Sequence, residues 1–146
     1  MNIQIAPLCN EDYDHWVVLA RGYKTFYKTT LPDADYENTW RRLLAKDGVC
    51  GLGAIQSGQL VGIAHYLLHT SIWAQHVCYL QDLFVDPLAR GQGVARALIE
   101  SVADASRAQG VARFYWLTQE HNTTGRTLYD KVAKYNGFIR YDYLLA

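Results

Sequence analysis

Arg90-Gly91-Gln92-Gly93-Val94-Ala95 sets two glycines at the start of a segment whose apolar residues recur at helical spacing: Val94, Ala97, Leu98, Val102 and Ala105. Such a loop is a generic anion site. The first N–H groups of a helix lack intrahelical partners, the helix dipole is positive there, and glycine lets a phosphate come close to the backbone. An ordinary strand–turn–helix, with glycines serving only the turn, is the plain alternative, and the loop alone does not separate the two.

The flanking elements must hold that loop in place. Residues 79–85 are aromatic and β-favouring and close on Asp86-Pro87, a strand followed by a turn. A helix from the loop to about Gly110 precedes a strand over 112–118, which must run parallel to the first because a helix crosses between them. Earlier come a strand over 3–8 and a helix from Asn10-Glu11-Asp12 to about Tyr27, with Trp16, Leu19, Ala20 and Tyr23 as its apolar stripe. A second helix spans 33–45. Strands over 49–56 and 59–70 flank Ser57-Gly58, a hairpin signal, and the strand that ends at Val85 begins at about His76. A fourth helix from Asn122 to about Tyr135 and a strand from Gly137, finished by 141–145, complete the order β-α-α-β-β-β-α-β-α-β. One α/β domain over 1–146 is expected.

Lys plus Arg and Asp plus Glu number 14 each. A balanced charge argues against a dedicated nucleic-acid binder. Cys9, Cys50 and Cys78 are scattered and odd in number, and the five histidines are dispersed. Neither a disulfide framework nor a metal site is expected, and a reducing compartment is. With no long apolar run or signal peptide, a cytoplasmic protein without membrane association is expected.

Together these motifs resemble the GCN5-related N-acetyltransferase (GNAT) superfamily, whose acetyl-CoA signature [Q/R]-x-x-G-x-[G/A] matches residues 90–95. Asn122 with Leu128-Tyr129 is similar to the family's N-x-x-x-x-x-L-Y helix, and Gly137-Phe138 to the G-F that follows. The likeness is nearest the small histone, polyamine and amino-acid acetyltransferases. It implies a mixed, mostly antiparallel sheet with a splayed central parallel pair and about four helices. It also implies acetyl-CoA as cosubstrate, without a metal. Gly91, Gln92, Gly93, Val94 and Ala95 would then hold the pyrophosphate through backbone N–H groups, with Arg90 or Arg96 adding charge. Leu83, Phe84 and Val85 would pair with the pantetheine arm, an N–H near Leu83 would polarise the thioester, and Asn122 would bond the arm.

The same resemblance implies that Tyr129 stands by the departing sulfur. A phenol of ordinary pKa about 10 cannot fully protonate a thiolate of about 8.5 without a cost of roughly 2 kcal/mol, so hydrogen bonding to the thiolate is the expected role. A protonated amine also needs a proton acceptor. Relatives in the polyamine branch carry Glu-Asp where this chain has Gln81-Asp82. Strict alternation puts Gln81 with Tyr79 and Leu83, and Asp82 with Leu80 and Phe84. Asp82 then reaches the cleft only through a bulge or a water, and Glu120 is a second candidate.

Tyr27, Tyr79, Gln81 and Glu120 would face the acceptor, with Trp40, Asp33, Asp35 and Glu37 on the first two helices suiting a cationic amine. A small amine or amino acid is the favoured acceptor. A protein lysine or N-terminal amine, and a non-catalytic acyl-CoA-binding module, remain alternatives. A G-x-G-x-x-G dinucleotide site is absent. The terminal FIRYDYLL could pair with a second chain in a homodimer or pack within one domain.

Overall fold

The computed structural model describes residues 2–146. Among these, five strands form one sheet in the order β1-β2-β3-β4-β5: β1 (Ile3–Pro7), β2 (Cys50–Gln56), β3 (Gln59–His69), β4 (Val77–Val85) and β5 (Phe114–Tyr115). Neighbours from β1 to β4 are antiparallel, and β5 runs parallel to β4. Four helices accompany them: α1 (Tyr13–Phe26), α2 (Asp33–Ala45), α3 (Val94–Ala108) and α4 (Thr123–Val132). This is the mixed α/β architecture the motifs imply, with the parallel pair at one end of the sheet.

Local chemistry sets most boundaries. Ser57 and Gly58 both have positive φ, 53° and 75°, the backbone of a two-residue hairpin turn between β2 and β3. Acidic Asp33 and Asp35 open α2 against the helix dipole, and Lys46 closes it in the left-handed conformation. Asn10 does not cap α1 directly. A short 3-10 turn intervenes, and the Asp12 carboxylate accepts the Cys9 N–H at 2.8 Å.

The sheet separates two apolar layers. On one face α1 and α2 bury Trp16, Leu19, Tyr36, Trp40 and Leu43 against Ile63. On the other, α3 lays Val94, Leu98, Ile99 and Val102 over Ala64, Cys78, Leu80 and Val85. Each such aliphatic side chain contributes about 1.5–3 kcal/mol by leaving water, enough to fix α3 across the antiparallel strands of the sheet.

Two expectations fail. The strand expected over 112–118 keeps ladder pairing only at Cys78↔Phe114 and Tyr79↔Tyr115. Beyond Tyr115 the chain diverges from β4, so the ladder cannot continue. No strand forms from Gly137 onward either. After α4 the chain stays outside both layers, with Phe138, Ile139, Tyr141, Tyr143, Leu144 and Leu145 exposed.

The β3–β4 ladder contains a shift of register. His65 pairs with Asp82, but the next residue, Tyr66, pairs with Leu80. Gln81 is the extra residue of a β-bulge, and the bulge resets the alternation of β4. Leu80 and Leu83 both pack on the α3 side, while Phe84 packs on the α1–α2 side. Asp82 meets His65 and the α1 residue Tyr23 there. Strict alternation, which joins Asp82 to Leu80, is thereby corrected.

Candidate active site

The splay of β4 from β5 leaves the edge of β4 from Leu80 to Val85 without a ladder partner on that side. Buried backbone polar groups need partners, so this edge is a template for an extended ligand. Leu83, Phe84 and Val85 lie on it, and the loop to α3 follows directly. Arg90 pins that loop to the strand end, its Nε donating to the Val85 carbonyl at 3.2 Å and its guanidinium lying over the Phe84 ring.

Gly91 and Gly93 have φ of 76° and 85°, and an added Cβ on either would meet nothing within 4 Å. The glycines therefore serve backbone conformation and an open surface, not packing, which suits a phosphate cradle. Gly93 caps α3, so the unpaired N–H groups of Val94 and Ala95 begin at that open surface. Arg96 is engaged with Glu100 at 3.0 Å across an exposed helix turn. Such a pair is worth little and is easily exchanged for a ligand phosphate. Gln92 accepts a hydrogen bond from the Gln56 amide at 2.9 Å.

Asn122 is committed to the start of α4. Its Oδ1 accepts the Gly125 N–H at 3.2 Å and its Nδ2 donates to the Thr118 hydroxyl at 2.9 Å. A Cβ at Gly125 would stand 2.5 Å from Nδ2, so glycine there admits the cap. Leu128 and Tyr129 pack on the α3-side layer, with the Tyr129 ring edge-on to Trp116, centroids 5.4 Å apart. Burial pushes the Tyr129 phenol above its ordinary range, and nearby Tyr27 adds to this.

Tyr27 is the joint between Tyr129 and the Asp82 side of the cleft. Its ring lies 5.0 Å from that of Tyr23. Tyr23 in turn donates its hydroxyl to the Gln81 carbonyl at 3.2 Å. That carbonyl belongs to the bulged residue, which has no partner residue across the ladder. Tyr79 stacks on Tyr115 at 5.0 Å, and burial, with Tyr115 and Asp82 nearby, raises its phenol against the opposing charge of Arg140. Tyr23, Tyr27 and Tyr79 thus wall the approach to Asp82. Burial pushes the Asp82 carboxyl up, but the His65 contact and the Lys24 charge outweigh it. The carboxyl lies below the ordinary range and is ionised at neutral pH.

Other expected residues fall elsewhere. Trp40 is core, edge-on to Tyr13 and tilted against Trp16. Asp33 pairs with Arg21. Gln81 has an exposed side chain and serves through its backbone. Glu120 is exposed and offers its main-chain carbonyl to Arg126 at 2.8 Å. Trp16 and His65 were not expected beside Asp82, yet the structure joins them to it. Trp16 Nε1 donates to His65 Nε2 at 3.0 Å, and His65 Nδ1 faces Asp82 Oδ2 at 2.8 Å. A polar residue on the inward phase of the apolar run QLVGIAHYLLH was the available signal.

Comparison with known proteins supplies the context. The sequence profile of the Acetyltransferase (GNAT) family matches residues 15–135. A D-amino-acid N-acetyltransferase of Saccharomyces cerevisiae is 36% identical over 129 residues, covering 84% of this chain and 79% of that protein. A thialysine N-epsilon-acetyltransferase of Caenorhabditis elegans is 22% identical over 135 residues, covering 92% and 84%. Among solved structures, an aminoglycoside N-acetyltransferase in complex with CoA superposes with a TM-score of 0.88 at 19% identity, covering 99% of this chain and 96% of that one. The phosphate-ready loop, the splayed strands and these matches converge: the chain belongs to the GNAT acetyltransferase family, the acetyl-CoA-dependent N-acetyltransferases.

Proposed function

We propose that residues 1–146 act as one acetyltransferase domain that moves the acetyl group of acetyl-CoA to the primary amine of a small acceptor, an amino acid or related amine, by direct attack in a ternary complex. One observation carries the reading: the bulge at Gln81 turns the ionised Asp82 onto the face walled by Tyr23 and Tyr79. The names of the two relatives, acting on D-amino acids and thialysine, support a small amine-bearing acceptor.

The residues divide the work. The N–H groups from Gly91 to Ala95, with Arg90 and Arg96, hold the pyrophosphate. The free edge of Leu83, Phe84 and Val85 pairs with the pantetheine arm and points an N–H at the thioester oxygen. Asn122 fixes the start of α4 and so the height of Tyr129. Tyr27, Tyr79 and Gln81 line the acceptor side, with Glu120 at its rim. Asp82 attracts the ammonium and takes one proton as water leaves the cleft. The freed lone pair forms the C–N bond, the C–S bond breaks as the carbonyl re-forms, and the second proton of the nitrogen passes to the departing thiolate, which Tyr129 steadies with a hydrogen bond.

Thiol release measured over a panel of D- and L-amino acids, thialysine, spermidine and a lysine peptide tests this. An amino acid or thialysine is expected to react fastest. A lysine peptide as the best acceptor would replace the substrate class. No thiol release despite acetyl-CoA binding would make the chain a binding module.

A homodimer in a reducing compartment is part of the proposal. Its basis is the run of large apolar side chains left in solvent after α4, beside a β5 edge only two residues long. A second copy's edge offers the ladder those residues lack. Sedimentation should give a dimer for the native chain and a monomer for Tyr141→Asp/Leu144→Asp. A monomer at all concentrations would end this part.

A further inference from the structure

The buried line Trp16–His65–Asp82 has only one consistent set of polarities. Indole Nε1–H is a donor and nothing else, so His65 Nε2 must accept. The ring proton then sits on Nδ1 and is donated to Asp82 Oδ2. Trp16 and His65 are both buried, and their cross-strand and helix neighbours leave neither ring free to turn. We propose that His65, its tautomer fixed by Trp16, is the positioning residue of the acetyl transfer: it occupies Asp82 Oδ2 and so directs proton acceptance to Oδ1. This rests on the reading of Asp82 as proton acceptor.

The consequence is atomic. The acceptor ammonium gives its proton to Oδ1, its lone pair attacks the thioester carbon, and Oδ2 keeps the His65 N–H throughout. The Tyr23 hydroxyl, donating to the Gln81 carbonyl, keeps lone pairs that can receive the new Asp82 O–H. Charged or titratable groups facing Asp82 are His65 of β3, Tyr23 and Lys24 of α1, and Tyr79 of β4.

A pair of substitutions separates positioning from packing. His65→Asn places an amide N–H near the position of Nδ1 and keeps the donor to Asp82. His65→Gln, closer in volume, places its amide near Nε2 and leaves Asp82 without that donor. His65→Asn should retain kcat within about threefold, whereas His65→Gln should lose about tenfold or more, with the KM for acetyl-CoA little changed. The Asp82 carboxyl carbon signal should titrate at higher pH in His65→Gln and not in His65→Asn, since losing a donor to the charged form raises a carboxyl. Equal kcat in the two variants, or retention by Gln and loss by Asn, would overturn the proposal. Should either fail to fold, Trp16→Phe takes its place: a kcat equal to that of the native protein would overturn it too. Asp82→Asn keeps the premise separate. If that variant leaves the pH–rate profile unchanged, the reading of Asp82 fails. If it changes the profile while the His65 pair stays equal, only the positioning role fails.

Discussion

Asp82→Asn is expected to lower kcat/KM for the amine about 100-fold at pH 7, and to change the shape of the pH profile as well as its height. The carboxyl is held below the ordinary range, so it stays ionised from mildly acidic pH upward. With Asp82 present, a protonated amine can bind and surrender its proton in the cleft, and kcat/KM stays nearly level across neutrality. Without it, only amine already deprotonated in solution can react. That fraction rises about tenfold for each pH unit until the pKa of the amine. The deficit of the variant should therefore shrink steadily towards alkaline pH. Steady-state rates from pH 6 to 10 with one amino acid check this. A deficit constant with pH would give Asp82 a binding role only, and no deficit would remove it from the mechanism.

The second large effect concerns the other end of the reacting bonds. Tyr129→Phe should reduce kcat by about tenfold or more while leaving acetyl-CoA affinity within about twofold. The ring would remain against Trp116, so the packing of α4 on the α3-side layer persists. Only the hydroxyl is lost. A tenfold change is about 1.4 kcal/mol, the size of one hydrogen bond to a charged partner. Because burial raises the Tyr129 phenol, it stays protonated at the pH of any ordinary assay and acts as a donor. The raised value also makes complete transfer of its proton to a thiolate more uphill than with an unperturbed phenol. Single-turnover rates and acetyl-CoA titration separate the two quantities. Unchanged turnover would exclude Tyr129.

What could be read without the structure was what local chemistry decides. The hairpin at Ser57-Gly58 and both ends of α2 follow from turn and cap residues a few positions apart. The loop from Arg90 to Ala95 was legible for the same reason, because its glycines carry positive φ that few other residues tolerate. The length of β5 was not, since ARFYWLT favours a strand everywhere and only the divergence from β4 ends the ladder. The tail from Gly137 reads as a strand because its composition is that of one, but no β-ladder forms along it. Trp16 and His65 lie 49 positions apart, and no local pattern joins them. Alternation alone set Asp82 with Leu80; the bulge that the sequence left open as its route to the cleft is present, but a bulge leaves no mark on composition that would locate it.

That bulge settles a conflict of duties within one short strand. Cys78, Leu80, Leu83 and Val85 all belong to the layer under α3. Two have even numbers and two have odd, so an unbroken strand could serve that layer with only one pair. It would also have to choose between placing a carboxylate among aliphatic side chains and surrendering two of them to the opposite face. A change of parity at Gln81 removes the choice. The strand keeps its apolar contribution at both ends and delivers a single acid to the other side. The acid proposed as proton acceptor thus comes from a shift in counting, without any exchange of residue types along the strand.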